Sequence, residues 1–73
     1  MYTTEEKATN AGKRDQYAKA VGGFAVAKMS SGEYDYFPAG QPPHARGEVD
    51  RGAEIVSKWA YNPAGARKWK EVA

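Results

Sequence analysis

Between Pro38 and His44 the chain reads Pro-Ala-Gly-Gln-Pro-Pro-His. Each proline fixes φ and removes a backbone donor, so this stretch excludes both helix and central strand. It is a loop, and it divides the chain into two halves that must each supply their own regular elements. Prolines also restrict the unfolded chain, which lowers the cost of ordering them. A loop of this kind offers a stiff, extended surface to a partner.

The half before the loop reads as a β-hairpin. Phe24-Ala25-Val26-Ala27-Lys28-Met29 is a strand, and Ser30-Ser31-Gly32-Glu33 supplies turn chemistry. Tyr34-Asp35-Tyr36-Phe37 returns as a second strand with Tyr34 and Tyr36 on one face, until Pro38 ends the pairing. Residues 1–15 carry little apolar area beyond alanine. Thr4 can cap a helix whose first turn holds Glu5 and Glu6, but Asn10 and Gly12 weaken it. The expectation is a flexible tail over residues 1–15, with at most a transient helical turn.

The half after the loop predicts a helix beginning between Ala45 and Glu48. Val49, Gly52/Ala53, Val56 and Ala60 recur at helical spacing, widened by Ile55 and Trp59, while Asp50, Arg51, Glu54 and Lys58 fall opposite. Asn62-Pro63 stops it, and Ala66–Val72 follows as a charged edge strand held by Trp69. The same residues admit a second hairpin, Ile55–Tyr61 against Ala66–Val72 around Asn62-Pro63-Ala64-Gly65. The preferred assembly is an α+β fold, a small ββαβ domain over residues 16–73. It has a three-stranded antiparallel sheet, one helix on a face and the flexible N-terminal tail.

Composition narrows the chemistry. A chain of 73 residues without cysteine has neither disulfides nor thiolate ligands. Zinc normally takes three or four protein ligands, and His44 is the one histidine, so no metal or cofactor is expected. His44 with Ser30, Ser31 or Ser57 makes no fixed catalytic geometry, and the acid pairs Glu33/Asp35 and Glu48/Asp50 read as a solvated turn and helix N-terminal acids. Gly22-Gly23 alone is too weak a signal for a phosphate loop. The chain reads as a non-enzyme. No apolar run approaches a membrane span, and the polar N-terminus is unlike a signal peptide, so a cytoplasmic monomer is expected.

What remains is binding. Eleven Lys/Arg against nine Asp/Glu give only +2, yet Arg67, Lys68 and Lys70 crowd one strand against Glu71. Arg67-Lys68-Trp69-Lys70 mixes cations with an aromatic, and Tyr34 and Tyr36 can form a stacking platform, which points to nucleic acid. Five tyrosines and two tryptophans are also a heavy load for so small a core, and Tyr, Trp and Arg dominate protein-binding hot spots. The candidate contact residues are Tyr34, Tyr36, Arg46, Arg51, Arg67, Lys68, Trp69 and Lys70, with Tyr61 beside them.

Trp59, Tyr61, Pro63, Ala64 and Gly65 lie in a segment that resembles an element of small phage-encoded inhibitors of bacterial RNA polymerase. There a helix bearing a Trp-x-Tyr pair leads through a Pro-Ala-Gly turn to the last strand. The match covers about a quarter of the chain, and the Pro38–His44 loop departs from that pattern. The resemblance implies a regulator that binds host bacterial RNA polymerase near nascent RNA. It would inhibit transcription initiation or suppress intrinsic termination. An anti-defence inhibitor of a phage shares the same small-domain profile. No binding residue of that family can be placed on a position of this chain.

Overall fold

A computed structural model of the protein describes residues 1–72. Two helices precede six strands: α1 (Glu5–Lys13), α2 (Gln16–Ala20), β1 (Gly23–Lys28), β2 (Tyr34–Pro38), β3 (His44–Ala45), β4 (Glu48–Val49), β5 (Glu54–Tyr61) and β6 (Trp69–Val72). The β1–β2 hairpin is as the sequence predicts, with Val26 opposite Tyr36 and Lys28 opposite Tyr34. The principal sheet has four antiparallel strands in the order β2-β1-β5-β6, and β3 and β4 form a separate two-stranded ribbon. The α+β class stands, while the three-stranded ββαβ arrangement is replaced.

The first correction concerns residues 1–15, expected as a flexible tail. Residues 5–13 form α1, started by Thr4, whose side chain accepts the Lys7 N–H, and favoured by Glu5 and Glu6 in the first turn. Its inner face is made of small residues: Ala8 is fully buried, and Thr9 and Gly12 lie beside it. Small side chains bury little area themselves, but they let the helix axis come close to the sheet, where the large rings supply the area. A Cβ added at Gly12 would sit 2.6 Å from the Phe24 ring. Asp15 then caps α2, accepting from the Tyr17 and Ala18 N–H groups. Ahead of α1, Tyr2 and Tyr34 exchange backbone hydrogen bonds of 2.7 and 2.8 Å, pinning the N-terminus to the β2 edge.

The second correction concerns the helix expected from Ala45–Glu48 to Tyr61. Residues 44–49 instead form the β3–β4 ribbon, closed by Arg46 and Gly47 with φ of 55° and 80°. Positive φ at both central residues is the two-residue turn that suits a hairpin's twist. Residues 54–61 form β5, and the alternative hairpin is the one realised: Tyr61 pairs with Trp69 and Lys58 with Val72. The reason is burial. As a helix this segment would bury Val49, Ile55 and Val56, which in the folded chain are 56%, 41% and 37% exposed. As a strand it places Ser57, Trp59 and Tyr61 on the face toward the helices. It also gives β1, buried along most of its length, the second neighbour that a central strand needs. A register shift between Val26 and Ala27 leaves Val56 as the extra residue of a bulge.

The core has two parts. On the helix side, Ala8, Ala18, Phe24 and Val26 are buried, with Tyr2, Tyr34, Tyr36, Trp59 and Trp69 packed around them. On the other side, Ala27, Met29 and Phe37 are covered by Ala45 and Ala53 from the ribbon and the turn that follows it. The Asp50 carboxylate accepts from the Ser30 N–H and hydroxyl and from the Gly52 N–H, joining the β1–β2 turn to the β4–β5 turn.

Candidate functional site

The helices cover β1 and β2, so the matching face of β5 and β6 is only half covered. Trp59 and Tyr61 on β5 and Trp69 on β6 stand there half-buried. Trp59 lies stacked on Phe24, with ring centroids 6.3 Å apart at 13°. Trp69 meets Phe24 edge-on at 5.1 Å and Tyr61 at 4.7 Å. The Trp69 indole N–H donates to the Lys13 carbonyl over 3.2 Å, so the last strand is fastened to the end of α1. Trp69 therefore serves both core and surface: one edge fills the core and the rest flanks solvent.

Two lysines from the helix ends lie over this aromatic row. Lys13 Nζ is 4.2 Å from the Trp59 ring centroid, and Lys19 Nζ is 5.9 Å from that of Tyr61. Such cation–π contacts contribute about 0.5–1 kcal/mol at exposed sites. Arg14 follows Lys13, and Arg67 and Lys68 occupy the β5–β6 turn just ahead of Trp69. Lys13, Arg14, Lys19, Arg67 and Lys68 are five of the chain's eleven Lys/Arg. Within residues 13–19 and 67–71 there are only two acids. Glu71 lies opposite Trp59, and Asp15 is engaged inward by the Tyr36 hydroxyl and the α2 N-terminus. The Tyr36 hydrogen bond is the main cause holding the Asp15 carboxyl below its ordinary range, and the same bond pushes the Tyr36 phenol well above its own.

The eight contact residues expected from sequence divide in two. Arg67, Lys68 and Trp69 belong to this site, whereas Lys70, paired with Ala60, stands on the other face of β6. Tyr34 and Tyr36 stand on β2, at the opposite edge of the sheet, with β1 and β5 in between. They lie beneath α1, and the Tyr36 hydroxyl is bonded to Asp15, so they form no open stacking platform. Arg46 is held in the ribbon turn, and exposed Arg51 follows β4, neither of them with the aromatic row. The sequence reading missed Lys13 and Lys19, assigned to a tail and to an unassigned stretch, and Trp59, assigned to a helix core. The Thr4 cap and the alternation of Ser57, Trp59 and Tyr61 were the signals that could have found them.

Among the described residues no group of three or more His, Cys, Asp or Glu is placed to hold a metal ion. His44 packs on Phe37 at 5.0 Å with Nδ1 2.9 Å from the Pro42 carbonyl oxygen. Ser57 is buried and accepts the Trp59 indole N–H, and Ser30 is bound to Asp50. No helix among the described residues is long and apolar enough to cross a membrane. Comparison with protein-family models, with curated proteins and with solved structures returned no significant match. The segment that resembles the polymerase inhibitors is a β-hairpin in this chain, so Trp59 and Tyr61 lie on a strand where the resemblance implied a helix.

Proposed function

We propose that this chain is a non-enzymatic binding protein that takes single-stranded nucleic acid on its aromatic–lysine surface. The observation that carries the reading is the pair of lysine ammonium groups resting over Trp59 and Tyr61, within a set of five cations from the helix ends and the β5–β6 turn. A phosphate draws an ammonium group off its ring, and the uncovered ring then accepts a base. Each stacked base is worth about 1–3 kcal/mol and is tolerant of sequence, because every base has a π-face. Arg67 and Lys68 in the β5–β6 turn extend the positive field beyond Tyr61 for the following phosphates. The test is a tryptophan-fluorescence titration with an oligothymidylate. If about four phosphates are neutralised, affinity falls about 50-fold between 50 and 200 mM salt, from a slope of roughly −0.7 per phosphate. Quenching that is absent, or that ignores salt, refutes the reading. So does unchanged affinity in the Lys13→Glu, Lys19→Glu double variant.

A second reading follows from the Trp59, Tyr61 and Pro63-Ala64-Gly65 match, whose two rings converge with Trp69 on the basic surface. In it the protein docks on host bacterial RNA polymerase, close to nascent RNA, and inhibits initiation or suppresses intrinsic termination. Tagged protein retained on a resin in bacterial lysate then recovers polymerase subunits at moderate salt, and the Arg67→Glu, Lys68→Glu variant does not. Recovery of a defence protein instead supports the anti-defence reading, and recovery of neither removes both.

A further inference from the structure

The face of the sheet turned away from the helices is floored by small residues. Ala25 stands at its centre, opposite Phe37 on one side and Lys58 on the other, and Lys58 in turn pairs with Val72. The proline-rich loop rises along one border, and Ile55 and Val72 form the other, 41% and 39% exposed. Between them lies an open groove of about 600 Å³. Its rim is tied at three points. Ala39 N–H donates to the Gly23 carbonyl over 3.0 Å, Gln41 N–H to the Pro38 carbonyl over 3.0 Å, and Asp50 N–H to the Pro43 carbonyl over 2.9 Å. A groove whose wall is already fixed avoids much of the ordering entropy that binding otherwise costs.

One charge enters this apolar surface. Lys58 is the only ionisable side chain among the described residues that line the groove. We infer that the groove is a peptide-docking site, taking a short extended apolar segment of another protein with one carboxylate placed for Lys58. The dimensions agree. Four strands span three interstrand spacings, about 14 Å, which is the reach of roughly four extended residues. A nucleic acid or an anionic membrane surface would need a field of cations, and among the described residues this face of β5 and β6 carries two, Lys58 in the groove and Lys70 beside it. The site lies on the opposite face from the aromatic–lysine row and stands independently of the function proposed for it.

The experiment is selection of a random heptapeptide display library on the immobilised full-length chain, followed by titration of an enriched synthetic peptide into 15N-labelled protein. Enriched peptides are expected to pair apolar residues with Asp or Glu. Their binding should shift the Ala25, Lys58 and Val72 amides and leave the Trp69 indole signal in place. Lys58→Glu sits at an exposed strand position, and its fold is verified by circular dichroism. It should weaken an enriched peptide about tenfold or more, since a hydrogen bond to a charged group is lost and a repulsion added, and it should select Lys- or Arg-bearing peptides instead. The inference is overturned by no enrichment over blank resin, by peptides indifferent to Lys58→Glu, or by shifts confined to the aromatic–lysine row. Concentration-dependent shifts of the same amides without peptide also overturn it, because a second copy of the chain then covers the face.

Discussion

Replacing Gly12 with alanine sets two effects of known sign against each other. In an exposed helix interior the change stabilises by about 1 kcal/mol, because glycine loses more backbone entropy on folding. Here the new methyl would lie 2.6, 2.7 and 2.8 Å from three atoms of the Phe24 ring, where ordinary contact begins at 3.4 Å. Ring or helix must move about 0.8 Å, the difference of those two distances. Phe24 is 2% exposed and held by Tyr36, Trp59 and Trp69, so the ring has nowhere to go. Overpacking of this kind costs about 1–3 kcal/mol, and three simultaneous ring contacts put it near the upper end. The balance is a loss of about 1–2 kcal/mol, or a fall in Tm of roughly 5–15 °C for a domain this size. Thermal and urea unfolding followed by circular dichroism measure it. Asn10→Ala, on the exposed side of the same helix, is the comparator and should stabilise slightly. If Gly12→Ala also stabilises, α1 does not rest on Phe24, and residues 5–13 behave as the mobile tail expected from the sequence.

Two further predictions concern the fastenings of the helix layer. Trp69→Phe keeps a ring against Phe24 but removes the indole donor to the Lys13 carbonyl, and should lower stability by about 1 kcal/mol in urea unfolding; an unchanged midpoint would mean that β6 is not tied to α1. The Asp15–Tyr36 hydrogen bond makes stability depend on pH at both ends. Asp15 has a lowered pKa, so its contribution is present above the ordinary carboxylate value of 3.8 and is lost as pH falls below it. Tyr36 has a raised pKa, so its contribution is present below pH 10.0 and is lost as pH rises through the higher folded value. Urea midpoints measured across pH should flatten in the alkaline range in Tyr36→Phe and lose only part of their acid slope, because the Tyr17 and Ala18 N–H groups still hold the Asp15 carboxylate; an unchanged alkaline slope would refute the assignment.

The parts of the fold that were legible in the sequence are those settled by local chemistry. The β1–β2 hairpin, the proline loop and the stop at Asn62-Pro63 follow from turn residues and from alternation over a few positions. The parts that were not legible depend on what lies across the molecule. Ala8 and Gly12 look too small to hold a helix, and they hold one because Phe24 and its neighbouring rings supply the area they lack. Val49, Ile55 and Val56 fit a helical stripe, but nothing opposite them would have buried it. Hydrophobic spacing shows what an element can cover, and only the partner decides whether that face is used.

The candidate site depends on the same decision. On a helix, residues two apart diverge by about 200°, so Trp59 and Tyr61 would face opposite ways and one of them would leave the surface. On β5 they share a face, and the hairpin brings Trp69 beside Tyr61. Ordering α1 then delivers Lys13 to Trp59, and the short α2 delivers Lys19 to Tyr61. No pair in this set is local in sequence except Trp59 and Tyr61, and that pair was assigned to the wrong period. A charge excess of +2 consequently understates the surface. Most of the acids stand near the α1 start, the β1–β2 turn and the β3–β4 ribbon, and the fold rather than the composition gathers the cations about the rings. The placement of residues 5–13 and 54–61 thus decides whether a basic aromatic surface exists at all, which is why the Gly12 substitution bears on function as much as on stability.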